Sequence, residues 1–440
     1  MYLKYKKAPT EANRASYILF RNMFKKIKIL AEKSYYENEF IKYNQDIRKT
    51  WRVIKSLMNG QRGDDSIDCL RVDSKIKSDP KEMAHLLNGY FSCIGQSLAN
   101  KIPHATGKPE DYMSSPVCNS FALIPTSPQE IIDIARGAKY SRSTGPDGID
   151  PLIGKRTIIP TSGIISEIIN SSFETGQIPP ELKKGKITPI FKQGDREIMS
   201  NYRPISILPY FGKIMEKAIS SRLKIYIDKI AILYPQQFGF SSGHSADLAL
   251  VTIQELITKA IDMNKFSVGI FLDLAKAFDT VDHKILLRKL SFYGIRGVAL
   301  LWFENYLTGR LQQVQCNGEL SSFKLITCGV PQGSNLGPLL FLLYINDLPN
   351  SSKILKLILF ADDTNVFCSH SSLLELKNII NLELKNLVEW FRINKLSLNA
   401  AKSCYIIFSA LNKNRDDSDI NINIDGNNVD QVISTKFLGI

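Results

Sequence analysis

The chain has 440 residues, with 56 Lys+Arg against 43 Asp+Glu for a formal net charge of +13, and it is 44% hydrophobic and 10% aromatic. That composition builds packed cores and excludes disorder as the main state, and the length allows about two to four domains. Seven cysteines, none in a C-x-x-C pair, exclude a disulfide framework and a zinc module and fit a reducing compartment. The apolar runs Leu339 to Ile345 and Leu357 to Ala361 are far shorter than the roughly 18 residues of a membrane span. No membrane partner is expected. The start, Met1-Tyr2-Leu3-Lys4, lacks the apolar stretch of a signal peptide, so an intracellular site is expected, with nucleus and cytoplasm both open. Excess positive charge leans toward a polyanionic partner.

Residues 1–60 carry 14 Lys+Arg and 5 Asp+Glu, interleaved with Phe20, Phe24, Ile27 and Leu30. The spacing predicts long amphipathic helices with a basic face, either a solvated linker or an arm on nucleic acid. Gly60 to Asp65 breaks that pattern, and a helix is expected around Glu82 to Leu98. The polar stretch from Ile102 to Ser120 reads as a boundary, so 1–120 is a basic helical lead-in. Ser127-Pro128-Gln129-Glu130 opens a connecting helix, placed within 121–142, with Pro at its first position. From the turn cluster Ser143 to Gly148 onward, 143–440 reads as one large domain of alternating helices and strands.

Asp-Asp pairs at 64/65 and 416/417 lie in polar surroundings and read as solvated. Asp362-Asp363 differs, because the apolar run Ile354 to Phe360 precedes it and Val366-Phe367 follows, which puts the pair at the tip of a short hairpin. Adjacent acids there repel each other, and a divalent cation is the simplest group to hold them charged. A second strand, Ser267 to Leu272, runs into Asp273. If the strands pair, Asp273, Asp362 and Asp363 converge into the sparse oxygen set that Mg²⁺ uses with phosphates. Between them, Gly329-Val330-Pro331-Gln332-Gly333-Ser334 is a glycine-bounded turn before an apolar helix, Asn335 to Leu348, that Ser334 can cap. His244, His283 and the cysteines read as packing or hydrogen-bonding residues, and Trp302, Trp390 and Phe391 as core aromatics.

Five motifs occur in order: Asn201-Tyr202-Arg203-Pro204-Ile205-Ser206, Phe271 to Asp279, Gly329 to Ser334, Phe360-Ala361-Asp362-Asp363, and Lys436-Phe437-Leu438-Gly439-Ile440. Together they resemble the reverse transcriptase of non-LTR retrotransposons of the LINE and jockey type. The resemblance implies an α+β right-hand polymerase, with fingers at about 143–265 and an antiparallel palm sheet backed by helices at about 266–440. It implies RNA-directed DNA synthesis with an RNA template, a DNA primer and dNTPs, on the element's own RNA, and two Mg²⁺ ions or Mn²⁺ in their place. By position, Asp273 and Asp362 resemble the metal-binding pair, with Asp363 the supporting acid. Phe278 resembles the aromatic that excludes a ribose 2′-hydroxyl, and Gln332 with Gly333 the turn that meets nucleotide and template. Lys192 and Arg203 resemble the cations that grip the triphosphate, and Lys402 the lysine near the leaving pyrophosphate. An endonuclease is not expected in the first 142 residues, and a thumb is expected to be missing. The alternatives are a non-catalytic nucleic-acid-binding remnant and, more remotely, a group II intron-like maturase.

Overall fold

The computed structural model describes residues 8, 10–43, 46, 50–51, 53–54, 66–138, 143–410 and 421–438. Gly60 to Asp65, Asp416-Asp417, and the last two residues of the fifth motif lie outside them. The chain divides into two compact units, Met1–Ser66 and Ile67–Ile440. In the first, helix α1 (Glu11–Lys42) starts at Thr10, whose hydroxyl accepts from the Asn13 amide, and buries none of its residues. Its apolar side chains Leu19, Phe24, Ile27 and Leu30 are exposed. Ion pairs one turn apart, Lys28 with Glu32 and Lys33 with Glu37, support it locally.

The second unit opens with the hairpin β1 (Leu70–Val72) and β2 (Lys75–Lys77), then α2 (Pro80–Ala99), capped by Asp79. The expected boundary near residue 120 is not where the chain divides. The apolar face of α2, Met83, Ala84, Leu87 and Phe91, is buried with Ile187, Tyr202 and Val314 from much later in the chain. Helix α3 (Pro128–Gly137) starts as its sequence indicates, with Ser127 accepting from the Glu130 amide. Helix α4 (Pro151–Thr175) is capped by Asp150 and ends on Gly176 at φ 69°, a left-handed conformation that suits glycine.

Strands β3 (Lys184–Phe191) and β4 (Tyr202–Ile207) follow, then helices α5 (Tyr210–Lys229) and α6 (Ala246–Asp262), and β5 (Phe266–Leu272). Next come α7 (His283–Phe292), α8 (Val298–Leu307), β6 (Leu311–Cys316), β7 (Glu319–Leu320), β8 (Lys324–Leu325) and α9 (Gly337–Ile345). The chain continues through β9 (Lys356–Phe360), β10 (Asp363–His370), α10 (Leu373–Ile393), β11 (Cys404–Phe408), β12 (Asn423–Ile424), β13 (Asn427–Asn428) and β14 (Asp430–Gln431). The fold is mixed helix and sheet.

One five-stranded sheet has the order β14-β11-β5-β10-β9, and the other β4-β3-β6-β7 with β8 also on β6. In the first, β5 pairs antiparallel with both β10 and β11. Its core face packs on α9, buried on every side as its uniformly apolar sequence requires. It also packs on α10, whose Trp390 and Phe391 are buried, while α8, whose Trp302 is fully buried, packs on α4 and α7. The second sheet takes β3 and β4 from before Asp273 and β6, β7 and β8 from after it, so the two sheets interleave in sequence. No helix among the described residues is long and apolar enough to cross a membrane.

Candidate active site

Pairing of β5 with β10 sets Leu272 opposite Thr364. Asp273, the next residue after Leu272, and Asp363, the residue before Thr364, therefore lie at the same end of the two strands. Asp362 is the second residue of the two-residue loop joining β9 to β10, and Ala361 before it adopts φ 55°. A left-handed alanine costs on the order of 1 kcal/mol, a strain that persists only where the surroundings hold it. The expected hairpin is present, and its tip carries the acids.

The segment from Gln236 to Gly239 holds that tip. Buried Gln237 accepts two backbone amides through its side-chain oxygen, from Gly239 at 2.9 Å and from Ala361 at 3.0 Å. The flanking backbone is laced to β9, with the Phe238 amide donating to the Leu359 carbonyl and the Leu359 amide to that of Gln236. A side chain on Gly239 would come within 2.4 Å of the Ala361 nitrogen. No local pattern marks these residues, because their partner is 124 positions away. His244, near this segment, sets its ring against Phe238 and hydrogen-bonds the Ser242 carbonyl.

Asp273 is held from the other side. Asn399 donates to its Oδ2 at 3.0 Å, its own amide donates to the Ser403 hydroxyl at 3.2 Å, and the Asn399 amide donates to its carbonyl at 2.9 Å. The short helical turn Ala400–Lys402 follows Asn399, which places Lys402 on the same rim. Lys276, three residues after Asp273 and at φ 52°, donates its ammonium to the carbonyls of Ser200 and Tyr202 at 3.0 and 2.9 Å. It thereby ties the end of β5 to the β3–β4 hairpin. Burial lowers its pKa, opposed by Asp279 and reinforced by the nearby cations Lys192, Arg203 and Lys402.

These elements enclose an open cleft lined by Lys192, Arg203, Asp273, Phe278, Gln332, Asp362, Asp363 and Lys402. Of the site residues expected from sequence, Gly333 alone is outside that lining. It sits at φ 105°, where a side chain would press to within 2.9 Å of the Ser206 carbonyl, and it lets the turn lie flat on β4. Phe278 stacks on Phe341 of α9, centroids 4.5 Å apart. The Gln332 carbonyl accepts from the Ser206 amide at 2.7 Å, fixing the turn to β4.

The cleft has an acidic floor and a cationic rim. Burial pushes the Asp362 carboxyl up, Asp273 adds to this, and Arg203 and Lys192 oppose it. Asp363 is pushed up to about 6 by lost hydration and by Asp362 and Asp273. Crowded carboxylates of this kind invite a cation. Among the described residues no group of three or more His, Cys, Asp or Glu side chains could hold a metal ion. Asp273, Asp362 and Asp363 thus line one cleft without forming a closed protein cage. A few carboxylates facing an open cleft suit a hard divalent cation whose remaining ligands are substrate phosphate oxygens and water.

Residues 183–440 match the reverse transcriptase (RNA-dependent DNA polymerase) family. The RNA-directed DNA polymerase from mobile element jockey of Drosophila melanogaster is 29% identical over 343 residues, covering 75% of this chain and 36% of the relative. The probable RNA-directed DNA polymerase from transposon BS of the same organism is 28% identical over 345 residues, covering 75% and 37%. That from transposon X-element is 29% identical over 318 residues, covering 68% and 34%. The chain spans a little over a third of the length of the curated relatives it matches.

Proposed function

The chain belongs to the reverse transcriptase (RNA-dependent DNA polymerase) family, and from that premise we propose that it copies RNA into DNA as the polymerase of a non-LTR retrotransposon. Its partners on this reading are an RNA template, the element's own RNA included, a DNA primer and dNTPs. The observation that carries it is the single cleft in which an acidic floor, a cationic rim and an aromatic wall meet. On this reading the sheet bearing β5 and β10 is the palm, at about 266–440, and β3 with β4 belongs to fingers at about 143–265.

The reaction is attack of the primer 3′-hydroxyl on the α-phosphate of a dNTP, with pyrophosphate leaving. Lys192 and Arg203, both exposed on the rim, bind the triphosphate through charge-assisted hydrogen bonds, Arg203 in bidentate fashion. Phe278, fixed against Phe341, fills the space a ribose 2′-hydroxyl needs. Gln332 and Gly333 form the wall beneath the nucleotide. Lys402, exposed on the rim, delivers a proton toward the leaving pyrophosphate as general acid. Asp273 and Asp362, with Asp363 in support, would hold divalent cations, Mg²⁺ or Mn²⁺, which when bound supply charge stabilisation at the attacking and leaving oxygens.

Extension of a DNA primer annealed to RNA, with Mg²⁺ and dNTPs, tests the reading. Loss of several kcal/mol of transition-state stabilisation predicts that Asp362→Asn lowers the rate about 100-fold or more. Equal extension by both proteins overturns the site, and salt-sensitive binding of the duplex without extension by the wild type favours a non-catalytic remnant.

A further inference from the structure

Of the acids in the motif from Asp273 to Asp279, the proposed chemistry leaves Asp279 unused. It ends the short helical turn Ala277–Asp279 and follows directly on Phe278. Phe278 lines the cleft, whereas Asp279 lines a narrow cavity behind the Gly329–Ser334 turn. Gln332 lines both. Its side-chain Nε2 donates to Asp279 Oδ1 at 2.8 Å, while Asp279 Oδ2 is buried with no hydrogen-bond partner among the described residues.

The backbone does not need this carboxylate. The Val330 amide donates to the Phe278 carbonyl at 2.8 Å, and the Gly329 amide to that of Val281 at 2.8 Å. His283 Nε2 hydrogen-bonds the Gly329 carbonyl at 2.7 Å. Gly329, at φ 84°, packs so tightly on Asp279 that a side chain would lie 2.8 Å from the Asp279 carbonyl oxygen. The wall is closed by main chain, so apart from the charge it offers the Lys276 ammonium the acid adds a desolvation cost. Burial pushes Asp279 up to about 6, with the Gln332 amide and the Lys276 ammonium holding it down. Tyr90 and Cys328, the other titratable groups facing it, are themselves pushed up, chiefly by burial and partly by Asp279. Arg310 lines the same cavity. At neutral pH the side chain is a carboxylate.

An ionised carboxylate only accepts hydrogen bonds, so it admits one orientation of the Gln332 amide, with nitrogen inward and oxygen left for the cleft. We propose that Asp279 is a positioning residue that locks Gln332 with its amide oxygen toward the incoming nucleotide, so that the wall selects the 3′-hydroxyl donor of a deoxynucleotide. The inference rests on the polymerase reading above. An amide at position 279 releases the lock, because Asn can donate to the Gln332 oxygen and turn its NH₂ toward the cleft.

The test is single-nucleotide extension of an annealed RNA–DNA primer-template with a dNTP or the matching 2′,3′-dideoxynucleotide, by wild type, Asp279→Asn and Asp279→Ser. One hydrogen bond to the sugar predicts that both variants raise KM for the dNTP about tenfold, with kcat within about threefold. Their KM for the dideoxynucleotide stays at the wild-type value, so the preference for the dNTP falls by the same factor. A preference unchanged in both variants overturns the inference, and so does a loss shared equally by the two nucleotides, which marks a structural role. Urea unfolding of Asp279→Asn at pH 7.5, expected at or above the wild-type midpoint, separates a misfolded variant from a mispositioned Gln332. A wild type that extends no primer overturns the polymerase reading and the inference with it, whereas an active wild type with unaffected variants overturns the inference alone.

Discussion

The same carboxyl group makes a prediction about stability. Asp279 carries a folded-state pKa of about 6, raised from 3.8 by burial. A raised carboxyl pKa means that the native state binds the proton more tightly than the unfolded chain. Its contribution is therefore fully present below about pH 4 and is lost as pH rises through about 6. A shift of about two units corresponds to about 3 kcal/mol. Urea midpoints of wild type and Asp279→Asn should coincide near pH 4, diverge in favour of the variant up to about pH 6, and run parallel above it. A difference independent of pH refutes the assignment. This residue also shows where sequence reading ends. Asp273 and Asp362 are legible because each terminates an apolar strand, and the series of motifs names Phe278, Gln332 and Arg203. Nothing local tells that Asp279 turns away from the cleft that Phe278 lines, because adjacent residues in a short helical turn diverge and only the packed turn from Gly329 to Ser334 gives the second one its partner.

At the scale of elements, the β9–β10 hairpin is legible and its support is not. Alternation of apolar runs around Asp362-Asp363 reports two strands and a tight connection. The segment Gln236–Gly239 that pins them is irregular and carries no periodicity, and it meets β9 only after the chain has folded. Likewise α2 is legible as a helix, whereas its partners in the second sheet are not, and for that reason the boundary expected near residue 120 falls inside a compact unit. Gly239→Ala tests the pin. The added methyl would stand 2.4 Å from the Ala361 nitrogen, a backbone atom that yields only if the hairpin moves. Overpacking of this sort costs about 1–3 kcal/mol. Displacement of a reacting group by about 1 Å can cost about 100-fold in rate. Primer extension by Gly239→Ala should therefore fall far more than its urea midpoint does, and Gln237→Met, which leaves the Gly239 and Ala361 amides without their acceptor, should act in the same direction. Full activity in both variants would show that the hairpin holds its own geometry.

Charge is distributed unevenly over the molecule. Residues 1–66 hold 15 Lys+Arg and 7 Asp+Glu, a net +8 of the whole chain's +13, which leaves +5 for residues 67–440. All the residues that line the cleft come from the second unit. The helix α1 keeps its basic and apolar side chains exposed, so in its own unit they are not spent on a core. Cations that neutralise phosphates release counterions and steepen the dependence of affinity on salt, by about 0.7–0.9 in logarithmic slope for each phosphate contacted. A protein reduced to residues 67–440 should therefore keep its thermal midpoint and still extend a primer at low salt. Its affinity for an RNA–DNA duplex should fall, with a salt slope shallower by about 2–3 as three or so contacts are lost. Titration of both proteins against the duplex from 50 to 200 mM salt reads the difference. An unchanged slope would assign residues 1–66 to a solvated linker, and loss of extension at every salt concentration would place part of the catalytic machinery in the first unit.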